Sequence, residues 1–300
     1  MSPSSRGVAA HALAAAAVLF VAAVALAQGP GPIHAIPGGP FEASDVVVAP
    51  DGKGVLFVDD ASADAIFWMD FAADGSSRSA PVRIPLGVSV EDPEGLTTDG
   101  RYVYVVGSQS RGKLSRGAGL VRFRLDAARA VQGVEEVDEL GALLTAAAPD
   151  LLGNRDGRNK AALNIVGLAW DAKRGRLLLG LRAPLDGGQA VLLPVRLRDA
   201  SGPFAAANLL VEQPVRLDLG GAGVRAIEAD ADGGFWLIAG GSIGNPIPSR
   251  LVRWDGNGSA VVSVATLPRH LKAEGIVRAK VAGKTVSLVL CDTSQYLLLP

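Results

Sequence analysis

The sequence predicts an all-β fold, a β-propeller of five large blades or, with one degenerate, six. Three observations carry this. Short apolar runs recur as strand pairs across tight Asp- and Gly-rich turns, at intervals of roughly 46–72 residues. A third strand follows most pairs after a polar loop. No linker divides the chain, so the repeats belong to one body.

The first repeat runs Ser44-Asp45-Val46-Val47-Val48, turns at Asp51-Gly52 and returns as Val55–Val58. The second runs Glu94-Gly95-Leu96, turns at Asp99-Gly100 and returns as Tyr102–Val106. The third runs Val166–Trp170 and turns near Gly175 into Leu177–Leu179. The fourth runs Ile227-Glu228-Ala229 and turns at Asp232-Gly233 into Phe235–Ile238. The fifth runs Glu274–Val277 and turns at Ala282-Gly283 into Val286–Leu290. Asp-Gly between apolar runs marks a hairpin, because glycine takes the positive φ such turns require. Third strands are expected at Ala65–Met69, Leu120–Leu125, Ala190–Leu197 and Arg250–Trp254, and fourth strands at Val82–Leu86, Val211–Leu217 and Ala260–Ala265. A helix is expected around Val137–Ala147, and a strand from Pro32–Phe41 to close the ring beside the last blade.

Residues 1–27 read as a secretory signal: Arg6 near the start, an apolar run from Leu13 to Leu26, and Ala25-Leu26-Ala27 as a small-x-small cleavage pattern before Gln28. The propeller domain is then 28–300, periplasmic or extracellular, with no stable membrane insertion after cleavage. Cys291 is the single cysteine, which excludes an internal disulfide framework and a Cys-rich zinc site, and it reads as a core thiol. With 29 basic and 30 acidic side chains the net charge is −1, too little positive charge for a nucleic-acid partner. A monomer is expected. His34 and His270 are the histidines beyond the leader, and no Gly-x-Ser-x-Gly elbow occurs, so a serine triad is disfavoured. Gly107–Lys113 imitates a phosphate loop but has Leu114 where a hydroxyl is required.

Asp92-Pro93-Glu94-Gly95-Leu96, Gly107-Ser108-Gln109-Ser110, Leu163–Leu168, Leu179–Leu185, Gly223–Glu228 and Glu274-Gly275-Ile276 occur in one order. Together they resemble a bacterial domain-of-unknown-function family of secreted propellers and, more distantly, phytase-like and esterase-like propellers. The sequence departs from that family at Val166, where Glu is usual, and at Gln109, where His is usual. The resemblance implies a fold; the family has no assigned reaction.

First strands line a propeller's channel, so Glu94, Glu228 and Glu274 are expected at comparable heights, with Glu42 nearby. Carboxylates about 7 Å apart repel by roughly 2 kcal/mol at an effective dielectric of 20. A divalent cation, a shared proton or an arginine relieves this. One reading is therefore a Ca²⁺ site from Glu94, Glu228, Glu274 and Asp292, with Asp59 and Asp60 as further candidates, Glu94 and Glu274 doing the chemistry of an ester or phosphoester hydrolase. Glu228, Arg182, Arg225, Asn164 and Ser108 would then bind a small anionic ligand, and Arg111, Lys113 and Arg116 would steer it. The other reading is a non-catalytic envelope scaffold for a protein or glycan, its glutamates tying blade to blade.

Overall fold

The computed structural model describes residues 31–110, 118–153, 163–242 and 246–300. Residues 1–27, expected to be a secretory signal, and Arg111, Lys113, Arg116 and most of the polar loop after Gly153 lie outside the described residues. Five antiparallel sheets form the five blades of a propeller. Blade 1 is β2 (Ala43–Val48), β3 (Val55–Asp59), β4 (Ala65–Met69) and β5 (Val82–Pro85). Blade 2 is β6 (Pro93–Thr98), β7 (Val103–Gly107), β8 (Leu120–Leu125) and β9 (Val131–Val137). Blade 3 is β10 (Asn164–Asp171), β11 (Arg176–Asp186), β12 (Gln189–Leu197) and two short strands on β12, β13 (Leu209–Val211) and β14 (Val215–Leu217). Blade 4 is β15 (Gly223–Ala229), β16 (Phe235–Gly240), β17 (Arg250–Trp254) and β18 (Val262–Thr266).

Blade 5 joins both ends of the chain. Its inner strands are β19 (Ala273–Val281), β20 (Lys284–Cys291) and β21 (Gln295–Leu299), and its outer strand is β1 (Ile33–Ala35). Ile33, His34 and Ala35 pair with Leu297, Tyr296 and Gln295, so the expected closing strand is present. Tyr296 adds a hydrogen bond to Gly75 O of blade 1 at 2.8 Å, tying the closing blade to its neighbour. The hairpins fall where the Asp-Gly pairs stand. At Asp99-Gly100, Asp99 Oδ1 accepts from the backbone N–H of Arg101 and Tyr102 while Gly100 takes φ +87°.

Blades meet through apolar layers, one at each of the five junctions. Val46, Phe57 and Phe67 of blade 1 meet Val277, Leu288 and Leu290 of blade 5, while Leu56, Val58 and Ile66 meet Leu96, Val105 and Val121 of blade 2. The remaining junctions are built likewise. Each fully buried Leu, Ile or Phe contributes about 1.5–3 kcal/mol, so the blades hold one another rather than standing alone.

Two boundaries differ from the sequence expectation. The helix is α1 (Leu140–Ala147), followed by the single turn α2 (Pro149–Leu152), and Leu140, Leu144 and Leu152 cap the junction of blades 2 and 3. Val137 instead ends β9, a strand the hydrophobic pattern does not reveal because its residues are mostly polar or exposed. The fourth strand expected over Val211–Leu217 is split into β13 and β14 around Pro214, which cannot donate to a ladder. Cys291 is buried in the core, where desolvation pushes its thiol up to about 12.

The inner strands β2, β6, β10, β15 and β19 stand side by side around the axis. They approach so closely that small residues are required. A Cβ added to Gly95 would stand 2.7 Å from Leu168 Cβ on the next blade and from Val106 Cγ1. Gly95→Ala is therefore expected to cost about 1–3 kcal/mol of overpacking, read as a lower urea midpoint with unchanged slope. Removing residues 31–35 leaves the outer edge of β21 unpaired and should lower Tm by about 5 °C or more in a thermal melt.

Candidate functional site at the channel mouth

Each inner strand breaks register near its start, β10 twice. The shifts fall between Ala43 and Asp45, Pro93 and Gly95, Ile165 and Gly167, Val224 and Ala226, and Ala273 and Gly275. A β-bulge leaves one residue without a cross-strand partner and re-aims its side chain. The five unopposed residues are Ser44, Glu94, Val166, Arg225 and Glu274, at one level near one end of the channel. This end is the mouth.

The bulges correct the expected alignment of the repeats. Glu94 and Glu274 do occupy equivalent places, but the fourth blade places Arg225 there. Glu228 lies three residues further along β15, opposite Trp236 and toward the Asp-Gly hairpin. Its carboxyl is pushed up to about 8, first by desolvation, with the backbone N–H of Ala229 pulling the other way and Asp230 adding repulsion. Glu228 also acts on Asp45. It therefore belongs to the channel interior, away from the arginines.

Asp45 is itself buried. Its Oδ1 accepts from Val46 N and its Oδ2 from Leu96 N, both at 2.9 Å. The second bond crosses from blade 1 to blade 2. Burial holds the carboxyl well above the usual carboxylate range, against the pull of those two N–H groups.

At the mouth Arg225 forms an ion pair with Glu274, whose side chain is 8% exposed against 14% for Arg225. Only Oε1 of Glu274 is engaged; Oε2 is buried and unpartnered. Arg225 is lowered to about 10, by desolvation first and then by Arg182, with Glu94 and Asp292 opposing. Arg182 reaches from β11 and donates Nε–H to Gly241 O at 3.4 Å. Among the described residues, no carboxylate lies within ion-pair distance of Arg182. Glu94 is pushed up to about 8, by desolvation first and then by Asp92, with Arg225 and Arg182 pulling it down and Asp60 raising it. Glu94, Arg182, Arg225 and Glu274 are thus brought into one electrostatic unit.

The rim is built where each first strand begins and each second strand ends. Asp60 N donates to Glu42 O, Ser108 N to Asp92 O and Asp292 N to Lys272 O. Asp92 and Lys272 hold matching positions and share a left-handed backbone, with φ of 56° and 48°. Asp60 is raised to about 7 by burial, by its hydrogen bond to the Glu42 carboxyl and by the charges of Glu42, Asp92 and Asp59. Asp59 itself is engaged in the turn, accepting from Glu42 N and Ser62 Oγ at 2.9 Å.

Three expected residues have local duties. Ser108 is buried and donates its hydroxyl to Asp92. Asp292 pairs with Lys272 at 2.9 Å, on the rim. Asn164 opens β10 and is buried, with Oδ1 unpartnered; its neighbour Ile165 donates a backbone N–H to Ser108 O at 2.9 Å. Sequence reasoning did not single out the Asp92–Ser108 pair or the Glu42–Asp60 carboxyl pair. The equal spacing of strand start and strand end in successive repeats was the available signal.

The donor set expected for Ca²⁺ does not assemble. Glu274 is committed to Arg225, Asp292 to Lys272, and Glu228 lies deeper with Asp45. Among the described residues no group of three or more His, Cys, Asp or Glu side chains is disposed to hold a metal ion.

Fold and mouth define a five-bladed β-propeller with charged groups gathered at one end of its channel. A family model described as "Protein of unknown function (DUF3616)" matches residues 156–293. That span holds Arg182, Arg225 and Glu274 but not Glu94. A search of the curated proteins finds none that matches. Among solved structures, the chain is similar to a putative gluconolactonase, at 13% identity and a TM-score of 0.48 over 90% of this chain and 92% of that one. It is also similar to a gluconolactonase from Xanthomonas campestris, at 9% identity and 0.44 over 91% and 99%. A third is virginiamycin B lyase from Staphylococcus aureus, at 12% and 0.39 over 88% and 68%. At these identities and scores no chemistry transfers to this chain.

Two stability measurements check the electrostatics. Arg225→Ala leaves Glu274 buried without its partner and should cost about 3–5 kcal/mol in urea unfolding, most of it recovered in Arg225→Leu/Glu274→Leu. The second concerns Glu228. A carboxyl whose pKa is higher folded than unfolded takes up a proton on folding, so stability is fully present near the unfolded value, 4.5, and falls as pH rises toward about 8. Glu228→Gln should flatten that fall and leave the variant more stable than the parent above pH 8, by on the order of 1 kcal/mol or more.

Proposed function

We propose that the channel mouth binds a small anionic ligand and hydrolyses an ester or phosphoester bond within it. One observation carries this reading. Arg182 stands close enough to disfavour the charge of Arg225, yet the only carboxylate in ion-pair contact with either, among the described residues, is Glu274. Two guanidiniums sharing one committed counter-charge, in a partly desolvated place, favour a further anion. A planar carboxylate or a phosphate matches their donor geometry.

Glu94 supplies the chemistry. Its pKa of about 8 makes its carboxylate a stronger proton acceptor than an exposed glutamate. It is half-buried beside both arginines. As general base it would take a proton from an attacking water and return it to the alkoxide oxygen as the ester bond breaks, while Arg182 and Arg225 hold the anionic group and offset charge developing on the ester oxygen. Glu274 would act by holding Arg225.

The alternative, a non-catalytic scaffold, draws support from the blade-to-blade duties of Glu274 and Asp45. The two separate on kinetics. Screened against generic ester and phosphoester substrates, the protein should show a kcat/KM that rises with pH through about 8, since the base must be deprotonated. Glu94→Gln should lower it by roughly 100-fold or more while leaving the Tm unchanged or raised. Turnover that survives Glu94→Gln would remove Glu94 as the base, and no turnover of any substrate favours the scaffold. Export remains part of the proposal: the secreted protein should begin at Gln28 by N-terminal sequencing.

A further inference from the structure

The backbone brings Arg182 and Arg225 to one place. The pairing of β10 with β11 slips between Asn164↔Ala183 and Ile165↔Leu181, so Arg182 has no cross-strand partner and is re-aimed by a bulge of its own. Its Nε–H reaches Gly241 O at 3.4 Å. A Cβ added to the preceding Gly240 would stand 2.8 Å from Arg225 Cγ. Both arginines therefore flank the end of β16.

A guanidinium carries five N–H donors. Among the described residues, the carboxylate that meets Arg225 is Glu274, and it does so through Oε1 alone. Oε2 of the same carboxylate is buried without a hydrogen-bond partner, in a residue 6% exposed. A desolvated acceptor left open forgoes the hydrogen bonds that water would give it. The two oxygens share one carbon, so whatever fills Oε2 stands beside whatever occupies the other donors of Arg225. An anion cannot fill it, because Oε2 only accepts. An ammonium donates but would be set against two guanidiniums. A hydroxyl donates and carries no charge.

We propose that the anionic group held by Arg182 and Arg225 bears a free hydroxyl on the next carbon, and that this hydroxyl donates to Glu274 Oε2. The inference rests on the assignment of the arginines to an anion made above. It narrows the substrates to esters and phosphoesters whose anionic group has a neighbouring hydroxyl. Glu274 then fixes Arg225 with one oxygen and selects the ligand with the other.

Calorimetric titration of the full chain with matched probes tests it: each enantiomer of lactate against propionate, and hydroxymethylphosphonate against methylphosphonate. At least one hydroxylated probe should bind roughly tenfold tighter than its partner. The O-methyl ether of lactate, which keeps the oxygen and loses the donor, should bind no tighter than propionate. In Glu274→Ala the two members of each pair should bind alike, and Arg182→Met should weaken all of them. Near-UV circular dichroism shows whether each variant is folded; the ether comparison decides on the parent protein in either case. Asn164 Oδ1 is also buried and unpartnered, one pairing position from Arg182. A hydroxyl advantage that survives Glu274→Ala and vanishes in Asn164→Leu would overturn the assignment to Glu274. Equal binding within each pair, or an ether as tight as lactate, would overturn the hydroxyl and leave the anion site standing. No binding by any probe would overturn the anion site and this inference with it.

Discussion

A bulge repeated at one level in five inner strands is the constraint on which the site depends. An uninterrupted antiparallel ladder would send successive side chains alternately into the two neighbouring blade junctions, where the core is apolar. The extra residue at each bulge escapes that alternation. The strand can therefore place Glu94, Arg225 or Glu274 at the axis without putting a charge into the layer of Leu, Val and Phe beside it. The residue after the bulge then meets the next blade at close range, which explains glycine at 95, 167 and 275 and alanine at 226.

Blade 1 treats that second position differently. Asp45 stands where the other blades have glycine or alanine, and its carboxylate accepts the Leu96 N–H of the following blade. The strand therefore gains a side-chain tie across a junction that the other blades close by backbone proximity. The tie is made at the cost of burying a carboxyl beneath Glu94 and above Glu228, and the mutual effect of these groups appears in its raised proton affinity. Acidity extends along the channel interior from the mouth, while the arginines occupy the mouth alone.

Much of the fold was legible because hairpin chemistry is local. Asp99-Gly100 and Asp232-Gly233 announce their turns by residue type, and the apolar runs on either side fix which strands pair. β9, which escaped notice, lacks such marks and carries Gln132, Gly133, Glu135 and Glu136 at a blade edge, while the fourth strand expected over Val211–Leu217 is interrupted at Pro214. The site was legible only in part. Glu94-Gly95 and Glu274-Gly275 advertise the bulge by their shared residues, but Arg225-Ala226 hides the same backbone behind different side chains. Aligning blade 4 on its glutamate instead selected Glu228, three residues too far. Which residue in a repeat is equivalent is decided by backbone register, and register is set by cross-strand pairing that residue identity does not display.

The same distinction separates support from function at the mouth. A propeller in which every blade served only closure would place similar side chains at equivalent bulges, because each junction faces the same packing problem. The five bulge positions here carry a hydroxyl, a carboxyl, an isopropyl group, a guanidinium and a second carboxyl. One pairing, Arg225 with Glu274, ties neighbouring blades. Ser44, Glu94 and Val166 do not repeat it, and Arg182 arrives from a second strand outside the bulge series. Asymmetry of this kind has no use in joining identical modules. Among the described residues it gives the mouth carboxylates on blades 1 and 2 and guanidiniums on blades 3 and 4.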